Sequence, residues 1–106
     1  MEQFMAYLDE KAAFYRQESR RLMADDRRDE GDLAKIRANV YGICKSVFAV
    51  LDEDKAKAKL AGLSCEWETS LVAAREHNDM KKAIIEEIKL EALSEISAQL
   101  QKQEER

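Results

Sequence analysis

The stretch LAKIRANVYGICKSVFAVL, residues 33–51, decides how the rest of the chain is read. Leu33, Ile36, Val40, Ile43, Val47 and Val50 recur at alternating spacings of three and four, and Tyr41, Cys44, Phe48 and Leu51 form a second stripe beside them. At 100° per residue the two stripes together span roughly 200° of a helix, about twice what a one-sided surface helix carries. One neighbouring helix cannot bury so wide an arc, so this segment is expected to be the central element of the fold.

The composition outside it is helical as well. Proline is absent and glycine occurs three times, at Gly31, Gly42 and Gly62, while Ala, Leu, Glu, Lys, Arg and Gln, all strong helix formers, dominate. A chain of 106 residues is long enough for one domain that buries roughly 60–70% of its unfolded surface. With 45% apolar and 38% charged residues it can supply both a core and a wetted surface, which argues against disorder.

The net charge of −4 divides evenly between the two halves of the chain. Neither half is a basic arm or an acidic tail, and nucleic acid is not an expected partner. No apolar run approaches the roughly eighteen residues of a membrane span, and the opening Met1-Glu2-Gln3-Phe4 lacks the pattern of a signal peptide. A cytoplasmic location without membrane contact is expected. Cys44 and Cys65 are too few for a disulfide framework and are expected to be reduced.

Four helices are predicted, over about 3–28, 32–51, 54–76 and 79–103. In the first, Phe4, Leu8, Tyr15 and Leu22 share one line, widened by Tyr7, Phe14 and Met23. Gly31 suits the left-handed end of that helix, and Asp32 suits the cap of the next. Asp52-Glu53-Asp54 are acids placed for the start of the third helix. There Ala56, Leu60, Leu63, Trp67, Leu71 and Ala74 hold one phase across Gly62, so the helix is expected to continue through it, with a break at Gly62-Ser64 as the alternative. Asn78 or Asp79 caps the fourth, which carries Ile84, Ile85, Ile88, Ala92, Leu93, Ile96 and Leu100. Long helices joined by short turns predict a single all-α domain, an up-down-up-down antiparallel four-helix bundle with the fourth helix returning beside the first.

Several residues fit that frame poorly. Arg37 falls inside the apolar arc, where an unpaired charge costs several kcal/mol or more. Either it reaches water or an acid on a neighbouring helix, or it forms with Tyr41 a site for an anionic ligand. Gly42 sits in mid-helix, and with Ala38, Ser46 and Ala49 it makes a small-residue ridge against which a second copy of the chain could pack closely. Tyr7 and Phe14 add aromatic area beyond what a core stripe needs, which also favours an interface.

Arg16, Arg20 and Arg27 align on the first helix and Glu87, Glu91 and Glu95 on the fourth, so the two ridges are expected to face each other. No Glu-x-x-His motif accompanies the acids, and the one histidine, His77, lies in a turn, so neither a metal nor another cofactor is expected. No phosphate loop, Ser/His/Asp set or Cys/His pair is legible, and no catalytic residue is assigned. The sequence thus points to a self-associating helical module, a homodimer acting in protein–protein interaction or regulation. The alternative is a binding protein or simple bundle enzyme for a small anion, with its pocket near Arg37 and Tyr41.

Overall fold

The computed structural model describes residues 1–105. Among them the chain forms four α-helices and no strand: α1 Glu2–Ala24, α2 Arg28–Val50, α3 Glu53–Glu76 and α4 Met80–Glu104. None is long and apolar enough to cross a membrane.

The first turn differs from the sequence expectation. Helix α1 stops at Ala24 because Asp26 takes the left-handed conformation, with φ 61°. The Arg27 N–H then donates to the Leu22 carbonyl at 2.9 Å and the Asp26 N–H to that of Met23 at 3.1 Å, closing a Schellman motif. A short acidic side chain tolerates that conformation, so glycine was not required for the stop. Gly31 lies instead within the first turns of α2 and is buried. A Cβ there would come within 3.1 Å of the Met23 side chain, and the Ser19 hydroxyl donates to the Gly31 carbonyl at 2.7 Å. The glycine serves the close approach of α1 to α2, and Asp32, one residue further in, caps nothing.

At the other turns the capping follows the side chains. The Asp52 carboxylate accepts from the Lys55 N–H at 3.0 Å and starts α3, which runs unbroken through Gly62. Asn78, with φ 55°, ends it in a second Schellman motif, and Asp79 caps α4 by accepting from the Lys82 N–H at 3.1 Å.

Side-chain pairs give the register. Lys45 of α2 bonds to Asp9 of α1, and the Phe4 and Phe48 rings meet edge to face at 5.0 Å, so α1 and α2 run in opposite directions. Arg75–Glu87 and Lys57–Glu104 set α3 against α4 in the same antiparallel way. Arg37–Glu91 and Tyr41–Glu95 are each separated by 54 residues, which makes α2 and α4 parallel neighbours. Helix α4 therefore lies chiefly between α2 and α3 and touches α1 only slightly, where the sequence suggested that it would return beside α1. The resulting body measures 40 × 34 × 22 Å, two helix layers in its thin direction.

The core sits where α1, α2 and α4 converge. Phe4, Leu8, Val40, Tyr41, Cys44 and Ile96 are almost wholly enclosed, and Leu60, Trp67, Leu93 and Leu100 extend the packing to α3. On α2 the buried arc runs through Ala34, Ala38, Tyr41, Cys44 and Phe48. The flank bearing Ile43 and Val50 faces solvent, so α2 is covered on two sides and left greasy on a third.

Candidate functional site

Two features of this arrangement have chemical content, and they lie along the contact of α2 with α4. The first is a polar seam built from aromatic rings and carboxylates. Tyr41 is fully buried on α2; its ring stacks on Tyr15 at 5.7 Å and meets Tyr7 edge to face at 6.0 Å. Its hydroxyl donates to Glu95 Oε2 of α4 at 2.9 Å. Burial, together with the Tyr7 hydroxyl and the Glu95 carboxylate beside it, pushes the Tyr41 phenol far above its ordinary range.

One turn earlier, the Arg37 guanidinium donates to Glu91 Oε1 at 2.8 Å and lies over the Tyr15 ring at 5.7 Å. Burial disfavours its charge, but the Glu91 carboxylate outweighs that and holds the guanidinium above its usual range. Both residues singled out for an anionic ligand are thus brought together, and each already holds a carboxylate of α4. An incoming anion has to displace Glu91 and Glu95 to reach them. The acidic ridge of α4 is answered by Arg37 and Tyr41 of α2 and by Arg75 of α3, not by the arginines of α1. Arg27, for its part, pairs locally with Glu30.

The second feature is an open groove of about 680 Å³ between the N-terminal halves of α2 and α4. Leu33 and Ile36 of α2 and Ile84 and Ile85 of α4 make its apolar floor, and Asp29, Asp32, Lys35, Asn39 and Lys81 line its rim. The volume is within the usual range for small-molecule pockets, but the walls are splayed and the rim carries both signs of charge. Its phase on α2 continues into the exposed Ile43 and Val50, so groove and stripe form one apolar flank.

The residues expected at an interface are scattered. Ala38 has no exposed surface. Gly42 is half-buried beside α1, and a Cβ on it would lie 3.8 Å from Arg16 Nη2. Ser46, Ala49 and Phe14 are exposed, whereas Tyr7 is half-buried and packs into the core through Phe4 and Tyr41. The upper part of the small-residue ridge is therefore enclosed within the chain. The groove was missed from sequence because Leu33 and Ile36 read as core positions, and only the order of the helices leaves them uncovered.

Elsewhere the chemistry is sparse. Cys44 is buried without a polar partner, and burial pushes its thiol up to about 12; Cys65 is exposed on α3. Glu86 of α4 is 5% exposed; its Oε1 accepts from Lys89 Nζ at 3.1 Å, and its Oε2 is buried without a partner among the described residues. Among the described residues no group of three or more His, Cys, Asp or Glu side chains is arranged to hold a metal ion. No family model, no curated protein and no solved structure matches this chain.

Proposed function

We propose that the protein is a non-enzymatic helical module that works as a homodimer, in protein–protein interaction or regulation. The observation that supports this reading is the apolar flank shared by α2 and α4. Val50 is 82% exposed, Ile84 45% and Ile43 42%, and Ile36, Ile43 and Val50 recur every seven residues on the flank of α2 that borders the groove. Scattered exposed apolar residues need no explanation, but a contiguous strip rimmed by polar groups marks a contact surface. The polar seam, by contrast, is internally satisfied and acts as a clasp that fixes α4 on α2.

Light scattering or sedimentation across micromolar to tens of micromolar concentrations tests the reading. A mass twice that of the chain, falling towards the single-chain value on dilution, is the expected result. A single-chain mass throughout defeats it.

A further inference from the structure

We propose that the groove between α2 and α4 is filled by the same groove of a second copy, with the two α2 helices packed antiparallel about a two-fold axis near residue 34. This rests on the homodimer reading above and adds the surface, the register and the charge pairs. In a two-fold interface each contact occurs twice, residue i on j and j on i, so the surface must complement itself. The α2 side of the groove does so. Its lining on α2 runs from Asp29 to Asn39 and is centred near residue 34, with the apolar pair Leu33/Ile36 and the charged pair Asp32/Lys35 each straddling that centre.

Superposing two such helices head to tail brings Leu33 of one protomer onto Ile36 of its partner, and the reverse. On the opposite edge of the stripe, Asp32 of each protomer then meets Lys35 of the other. The flanks sort correctly, because antiparallel helices oppose like edges: Asp32 and Lys35 share one edge and Leu33 and Ile36 the other. Both charged residues are exposed and neither has a salt-bridge partner among the described residues. Helix α4 lies on the Leu33 edge, so Ile84 and Ile85 of the two copies close the apolar centre from that side. The assembly is a four-helix contact of two parallel α2/α4 pairs, related by the two-fold axis, that covers the groove floor of both copies; Ile43 and Val50 extend past the start of the partner's α2 and lie outside the α2–α2 contact.

The mixed charge of the rim, awkward for a small anion or an acyl chain, is what a self-complementary contact requires. The experiment is a charge exchange. Asp32→Lys gives a chain with two lysines on the edge, Lys35→Asp a chain with two aspartates, and both positions are exposed, so the fold is retained. Each variant alone should dimerise at least about tenfold more weakly than the parent, and an equimolar mixture should recover the parent's association as a heterodimer. Ile84→Ser should weaken association comparably, while Phe14→Ser, away from the groove, should leave it unchanged. Variants that associate like the parent, or a mixture no tighter than its components, overturn this interface while leaving self-association standing. A parent chain that is monomeric at tens of micromolar overturns the homodimer reading itself.

Discussion

Glu86 is a carboxylate that the fold encloses while satisfying only one of its oxygens. Its side chain is enclosed, one oxygen has Lys89 as partner, and the other has none among the described residues. Taking a carboxylate out of water costs several kcal/mol, and a single ion pair seldom returns all of it. Lys89 is not stranded when Glu86 is removed, because it keeps partial exposure and lies 4.8 Å from the Trp67 ring centroid. Glu86→Met should therefore raise unfolding stability by about 1–2 kcal/mol in a urea titration, and a loss of stability would show that the Lys89 pair outweighs the burial cost. Tyr41 makes the opposite case. Its hydroxyl has one good acceptor, Glu95, which remains exposed to water if the bond is lost. Tyr41→Phe should thus cost only about 1 kcal/mol, and a loss of several would mean that Glu95 depends on the phenol for its solvation.

At the scale of the helices, the three glycines separate backbone cost from packing need. Gly62 has nothing within 4 Å of the position a Cβ would occupy, and Gly42 has only the end of the Arg16 side chain at 3.8 Å. Alanine at either position should stabilise by about 0.5–1 kcal/mol, since a helical glycine forgoes that much in conformational entropy. Gly31→Ala should gain less or lose, because the Met23 side chain must move aside and the α1–α2 approach at Ser19 is tight. Matched thermal melts of the three variants check the order, and Gly31→Ala as the most stabilising would refute it. The number of helices and the acidic starts of α3 and α4 were legible in the sequence, because periodicity and helix-end chemistry are local, but the phase of α2 was not: the stripe read as core carries the exposed Ile43 and Val50, while Ala38, read as a ridge for a second copy, is fully buried. Nor was the end of α1: glycine is the commoner left-handed residue, and Asp26 took the role five residues before Gly31, where it was expected. Nor was the neighbour of α4 legible. An apolar arc of 200° on α2 says that several helices cover it, but whether α3 or α4 lies alongside depends on side chains some 50 residues away in the chain, such as Glu91 and Glu95. The same ignorance hid the groove, whose floor is core by pattern and surface only by arrangement.

For the molecule as a whole, the convergence of α1, α2 and α4 on Tyr41 and Cys44 ties global stability to alkaline pH. Both groups are enclosed in their neutral forms, and burial raises the Cys44 thiol to about 12 and the Tyr41 phenol further still. In the unfolded chain a thiol titrates near about 9 and a phenol near about 10. With folded values above unfolded ones, the unfolded state gives up its protons first. The contribution is complete below about pH 9, declines as pH rises and is spent once the pH passes the folded values. Surface pairs such as Lys57–Glu104 weaken in the same direction, but they are exposed and add little. Urea midpoints should accordingly hold level from about pH 7 to 8.5 and fall steadily between about pH 9 and 11. Cys44→Ala, less stable than the parent at neutral pH because it leaves a small cavity, should show a visibly shallower alkaline fall. Parallel slopes for the two proteins would place the alkaline sensitivity elsewhere in the chain and free the core thiol from any part in it.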